Sequence, residues 1–138
     1  MGNKKILVVE DDPDVRKGMN VRLKANGYDT FFAADVITSI IEARKHVPDL
    51  IILDLGLPAG DGFVVIERLK IVPALALIPI IVVSARAGHA NQERALKAGV
   101  SAFLHKPVDN AELLAVIRQT LGEPAPIEKA LVYDIGSL

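Results

Sequence analysis

Short apolar runs alternate along this chain with stretches whose apolar residues recur every three or four positions. The runs are KILVV (5–9), YDTFFAA (28–34), LIILD (50–54), IPIIVVS (78–84) and SAFLH (101–105). Three of them are nearly continuous in Ile, Leu and Val, as expected of parallel strands covered on both faces. Between them lie five predicted helices. Asp12-Pro13 supplies an N-cap and a proline at the first helical position, Val15, Met19, Val21 and Leu23 follow as apolar positions, and Gly27 marks the stop. Asp35 caps a second helix carrying Val36, Ile37, Ile40 and Ile41, which ends before Pro48. A third covers about 61–71 with Phe63, Ile66 and Leu69, and a fourth covers about 90–98 and stops at Gly99. The fifth opens at Asp109 with Glu112 in a capping-box position, carries Leu113, Leu114, Ile117 and Leu121 on one stripe, and ends at Gly122. The order βαβαβαβαβα predicts an open α/β sheet, doubly wound, with right-handed crossovers and helices on both faces. In such a sheet, ligands gather beyond the carboxyl ends of the strands.

The length of 138 residues predicts one domain with a real core, at 1–121. Residues 122–138 differ in character: two prolines follow Gly122, then a mildly apolar end, read as a linker or short extension. With 16 basic against 17 acidic residues and no basic run, nothing in the composition calls for nucleic acid or lipid. The absence of cysteine excludes a disulfide framework, thiol catalysis and a Cys-based zinc site. No apolar stretch approaches a membrane span, and the apolar run after the N-terminus is too brief for a secretory signal. The expectation is a cytoplasmic protein.

The chemistry lies where the strands end. Ile6 to Val9 run straight into Glu10, Asp11 and Asp12, with Asp14 just beyond. Two unit charges about 4 Å apart repel by roughly 1 kcal/mol in bulk water and roughly 4 at an effective dielectric near 20, so solvation, helix-end dipoles or a bound cation must offset the cluster. Asp12 reads as a helix cap and Asp14 as a first-turn acid suited to the helix dipole. Glu10 and Asp11 read alone as solvated acids or as ligands in equal measure. Asp54 ends the third strand, Ser84 the fourth and Lys106 the fifth. Each has an ordinary reading by itself, as a strand end, a turn or a surface lysine. Four strands delivering a polar residue to one sheet edge is a different matter. Asp11 and Asp54 offer oxygen ligands to a hard divalent cation such as Mg²⁺, with Glu10 nearby or bound through water. Such a cation would also neutralise a phosphoryl group approaching an aspartate nucleophile. Lys106 would pair with phosphoryl oxygens and Ser84 would donate a hydroxyl hydrogen bond.

The segments ILVVEDDPDVR, PDLIILDLGLPAGDGF, IPIIVVSAR and AGVSAFLHKPV, in that order, resemble a two-component response-regulator receiver domain of the CheY-like family. The resemblance covers about residues 4–121 and implies a five-stranded parallel sheet in flavodoxin/CheY-like order 2-1-3-4-5. It implies Asp54 as phospho-acceptor, Asp11 and Asp54 as direct Mg²⁺ ligands, Glu10 as an outer-shell acid and the Gly56 backbone carbonyl as the third protein ligand. It makes Ser84 the switch hydroxyl, Phe103 the switch aromatic and Lys106 the phosphate-pairing lysine, with a cis Lys106–Pro107 peptide. The implied partners are a sensor histidine kinase or phosphotransfer protein and a downstream target, read by the face of helix four, strand five and helix five. The chain is then a signalling switch that catalyses only its own phosphorylation and dephosphorylation. It would be a monomer or a weak phosphorylation-dependent dimer.

Three positions depart from the family pattern. Gly56 lacks the larger side chain common there, which would shield an acyl phosphate. Phe103 lacks the hydroxyl of the commoner tyrosine. Ser101-Ala102 stands where regulators with winged-helix outputs carry acids used in dimer salt bridges. Two other functions compete. A phosphorylation-independent interaction module would not need Asp11, Asp54, Ser84 and Lys106. An aspartyl phosphatase of the haloacid-dehalogenase type wants a second Asp where Gly56 stands. His46, His89 and His105 are scattered, and no phosphate-binding glycine motif is present.

Overall fold

A computed structural model describes residues 2–57, 62–85 and 88–124 of the chain. Within them lie β1 (Lys5–Val9), α1 (Pro13–Ala25), β2 (Asp29–Ala33), α2 (Val36–His46), β3 (Leu50–Leu53), α3 (Gly62–Ile71), β4 (Ile80–Ser84), α4 (His89–Lys97), β5 (Ala102–His105) and α5 (Asn110–Leu121). The five strands form one parallel sheet in the order β2-β1-β3-β4-β5. The three runs richest in Ile, Leu and Val are the three inner strands, and they are buried throughout except at Lys5. Residues of β2 and β5 are mostly half-exposed, because each has a neighbour on one side only.

Each sheet face carries its own core. Leu7, Val9, Ile51, Leu53, Ile80 and Val82 point to one side, under α2, α3 and α4. Ile6, Val8, Leu50, Ile52, Ile81 and Val83 point to the other, under α1 and α5. This alternation is the period of two expected of a strand buried on both faces.

Helix ends follow local chemistry, with exceptions. The Asp12 carboxylate accepts from the backbone N–H of Asp14 (2.9 Å) and Val15 (3.4 Å), and Asp35 accepts from that of Thr38 (2.8 Å). The last interaction lowers the Asp35 pKa, since those donors favour its charged form. Gly27 and Gly122 take positive φ where the helical patterns stop. Asp109, however, makes no side-chain cap on α5, so the capping box expected from Glu112 is absent. The stop of α2 falls on Val47, a β-branched residue at φ 44°, rather than on a glycine.

The expected apolar faces also need correction. On α1, Met19 and Leu23 are buried but Val21 is exposed. On α2 the buried positions are Ser39 and Ala43, while Ile37 and Ile41 face solvent. Ser39 tolerates full burial because its Oγ donates to the Val36 carbonyl (2.6 Å). Of the segment 58–61, which the helix expected at 61–71 touches, and of 125–138, which the expected linker includes, all residues lie outside the described ones. Among the described residues, no helix is long and apolar enough to cross a membrane.

Candidate functional site

Parallel register carries the strand ends to one edge. Val9 pairs with Ala33 and with Leu53, and Ser84 with His105. The next residues continue the ladder: Glu10 N–H donates to the Ala33 carbonyl (3.0 Å), Asp54 N–H to Val9 (3.0 Å) and Lys106 N–H to Ser84 (2.9 Å). Glu10, Asp54 and Lys106 are thus fixed at the carboxyl edge by backbone hydrogen bonds before any side-chain interaction is counted.

Their side chains converge. Lys106 Nζ lies 2.7 Å from Glu10 Oε1 and 3.4 Å from Asp54 Oδ2. The Glu10 side chain is 4% exposed, that of Asp54 12% and that of Lys106 24%. Glu10 is further held by Oε2, which accepts from the Asp12 N–H (3.3 Å), and its backbone carbonyl accepts from Arg16 Nη1 (3.3 Å). Asp54 Oδ1 accepts from the Gly56 N–H (3.0 Å), which orients the carboxylate.

Electrostatics follow from this packing. Burial raises the Glu10 carboxyl above its usual pKa; the Lys106 hydrogen bond opposes the rise and the Asp54 charge adds to it. Burial alone would lower the Lys106 ammonium, but the hydrogen bond to Glu10 and the charges of Asp54 and Glu10 outweigh it, so its pKa is raised. The lysine is therefore a firmly held cation between two acids.

Asp11 joins from the exposed rim. Glu10, Asp11 and Asp54 each offer a carboxylate oxygen, and the three lie within 4.8 Å of one another. Three hard oxygen donors, beside a single cation that already contacts two of them, make a donor set suited to Mg²⁺. Ser84 closes β4 and is fully buried. Phe103 lies in β5 opposite Val82, half-buried against the α2–α4 core, and its ring meets that of His105 edge-on at 5.2 Å. The Lys106–Pro107 peptide is cis.

Two glycines shape the pocket. A Cβ at Gly56 would sit 3.5 Å from Asp54 Oδ1 and 3.7 Å from Oδ2, so a larger residue there would lie against the carboxylate, and glycine leaves it open. Gly62 escaped the reading of the sequence as a functional position. A Cβ there would fall 2.7 Å from Leu55 Cα and 2.9 Å from the Asp54 carbonyl oxygen. Only glycine lets α3 begin this close to the loop that carries Asp54, and its N–H donates to Leu55 (2.9 Å). Its one legible signal is a glycine at the start of a helical pattern soon after Asp54.

A doubly wound sheet with an acid cluster and a lysine at its carboxyl edge defines a class of α/β proteins whose site lies at the topological switch point. The particular family follows from comparison. The model of the response regulator receiver domain matches residues 6–118. The KDP operon transcriptional regulatory protein KdpE of Escherichia coli is 39% identical over 116 residues, covering 84% of this chain and 50% of that protein. Response regulator PleD of Caulobacter vibrioides is 35% identical over 114 residues, 83% of this chain and 25% of that protein. This chain thus spans half the length or less of these two relatives. Among solved structures, the receiver domain of the Pseudomonas aeruginosa sensor histidine kinase PA1611, which holds a magnesium ion in its active-site cleft, is 30% identical with a TM-score of 0.80. That match covers 89% of this chain and all of the other. The BeF3-activated receiver domain of Klebsiella pneumoniae RstA is 28% identical with a TM-score of 0.79, over 86% of this chain and 98% of that one. The chain belongs to the response regulator receiver domain family, the receiver modules of two-component signalling.

Proposed function

We propose that this receiver domain accepts a phosphoryl group on Asp54 from a phosphohistidine of a kinase or phosphotransfer protein, and that the modification switches its binding surface. The observation that carries this reading is the convergence of Glu10, Asp54 and Lys106, with Asp11 at the rim. In the step proposed, an Asp54 carboxylate oxygen forms a bond to phosphorus while the P–N bond to the donor imidazole breaks, and the departing imidazole takes a proton. The Gly56 N–H steadies one carboxylate oxygen, and Lys106 already faces the other. Lys106 would then turn its charge to the new phosphoryl oxygens, leaving Glu10 less neutralised. Asp11 and Asp54, with the Gly56 carbonyl, would hold Mg²⁺, and Glu10 would act on it from the outer shell. The ion supplies neutralisation of the phosphoryl charge. The magnesium-bearing cleft of the PA1611 receiver supports this assignment.

Ser84, buried at the end of β4, would donate its hydroxyl to the phosphoryl group. Phe103, one strand over, would respond by repacking, so that the α4-β5-α5 face changes. Such a protein is a switch rather than a metabolic enzyme. Gly56 places no side chain of its own beside the Asp54 carboxylate, so an acyl phosphate there would lack the shielding a larger residue at this position would give.

Mass spectrometry after incubation with acetyl phosphate and Mg²⁺ tests the reading. The wild-type chain should gain one phosphoryl group, and Asp54→Ala should gain none. No gain in the wild type would favour a module that binds partners without phosphorylation. Sustained release of phosphate from a small phosphomonoester would favour an aspartyl phosphatase instead.

A further inference from the structure

The isoleucines of α2 that face away from the core belong to a second surface. Between α2 and α3 runs a groove of about 510 Å³. Ile40 and Val72 in its lining pack inward against the core. Ile37, Ile41 and Ile71 also line it and stand 67%, 55% and 77% exposed. An exposed isoleucine gains neither burial nor helix propensity, where leucine, lysine or glutamate would serve a solvated helix better. Single exposed apolar residues need no explanation, but three around one concave surface form a patch.

The charges on the groove's described residues are of one sign. Its only charged lining residues among those described are Arg44 and Arg68, although the chain as a whole carries a net charge of −1. Neither arginine makes an ion pair or side-chain hydrogen bond among the described residues. The sequence explains why. The helical neighbours three and four positions from Arg44 are Ile40, Ile41, Val47 and Pro48; those of Arg68 are Val64, Val65, Ile71 and Val72. No carboxylate is spaced to neutralise either guanidinium within its own helix. Arginine forks suited to bidentate carboxylate recognition, beside an apolar trough, are the features that bind an amphipathic helix.

We propose that the α2–α3 groove is a docking surface for an acidic amphipathic helix of a partner protein, with its apolar stripe on the isoleucines and its carboxylates on Arg44 and Arg68. A trough between two helices admits a ridge of side chains better than a flat lipid surface, and two basic residues are fewer than the clusters of about four to eight that recruit a segment to anionic lipid. The groove lies apart from Asp54 and its neighbours, so the proposal holds whether or not that site is phosphorylated.

The test uses the full chain and two fluorescein-labelled helical peptides. One carries a leucine stripe flanked by glutamates; the other has every glutamate replaced by lysine. Fluorescence anisotropy at low salt should detect binding of the acidic peptide and little of the basic one. Arg44→Glu with Arg68→Glu should weaken the acidic peptide by about tenfold or more and favour the basic one. Ile71→Ser should weaken binding with the charges intact. All these positions are exposed, and circular dichroism verifies that the variants fold. Several results overturn the proposal: equal binding of both peptides, or no effect of charge reversal. So would preferential binding of phosphatidylserine vesicles, which makes this a lipid face. Dimerisation abolished by Ile71→Ser would give the groove to a second copy. Peptide binding that appears only after removal of residues 125–138 would give it to the chain's own segment.

Discussion

At the scale of single residues, what matters is which partner holds each ionisable group. Lys106 is poised because Glu10 sits 2.7 Å away and Asp54 somewhat farther, so a competing anion has a cation already in place. A different residue gives the cleanest pH prediction. Tyr28 is buried, and its hydroxyl donates to Glu123 Oε1 at 2.6 Å. Burial, together with that hydrogen bond and the adjacent carboxylate charge, pushes the phenol up to about 12. A folded pKa above the unfolded value of about 10 means that the protonated form is favoured in the native state. The stabilisation is fully present below about pH 10 and is lost as pH rises through about 12. In a Tyr133→Phe background, Tyr28 is the one remaining tyrosine, and the chain has no tryptophan. Ultraviolet titration of its phenolate should report the raised value, and Tyr28→Phe should remove that part of the alkaline loss of stability. A phenolate that forms at the ordinary tyrosine value would refute it.

At the scale of elements, α2 shows how a helix is placed against its own apolar count. Its stripe of isoleucines would cover the sheet if side-chain size alone decided. Instead the small Ser39 and Ala43 are the fully buried positions, Val36 and Ile40 are half-buried against the core, and Ile37 and Ile41 go to solvent. Small residues allow close helix–sheet approach at a face already filled by Leu7, Phe31 and Ala33. The helix then ends on Val47 in the left-handed region, followed by Pro48. A residue with a Cβ pays roughly 1–2 kcal/mol for this conformation, and glycine in the unfolded chain costs roughly 0.5–1 relative to alanine. Val47 is 53% exposed, so little packing is lost with its side chain. Val47→Gly should therefore raise stability by up to about 1 kcal/mol, read as a higher urea midpoint with an unchanged slope. A lower midpoint would mean that the valine contributes more by packing than the turn costs.

At the scale of the whole molecule, the sheet assembles a charge problem. Asp11 and Asp54 stand 43 positions apart in the chain and end in one pocket with Glu10. In the absence of a cation this repulsion opposes folding, while Lys106 offsets part of it. Asp11→Asn removes one charge at the rim and should stabilise the protein by at most roughly 1 kcal/mol in chelator, the scale of a nearby pair in water. On the proposed magnesium site the order should reverse in millimolar Mg²⁺, because the ion would stabilise the wild type by binding its native state and would bind the variant less. Urea melts of both proteins with and without magnesium check this. A variant no more stable than wild type in chelator would show that the acids are solvated too well to repel.

Much was legible before any coordinates. Unbroken runs of Ile, Leu and Val bounded by turn residues and alternating with helical patterns favour inner parallel strands; the alternating order and both helix-capping aspartates, Asp12 and Asp35, follow from such local rules. The polar residues that end the strands were legible for the same reason, since a parallel sheet sends all carboxyl ends to one edge. Tertiary structure alone decided the rest. Which side of α2 meets the sheet depends on the depth of the space beneath it, not on the number of apolar residues along it. The close approach at Gly62 is set by a loop distant from any helical rule. The pairing of Lys106 with Glu10 joins residues 96 positions apart; burial raises the Glu10 pKa, while the Glu10 hydrogen bond and the charges of Asp54 and Glu10 raise that of Lys106 against its burial. Sequence period determines which elements form and which way they run; distances and dielectric exist only once those elements have packed.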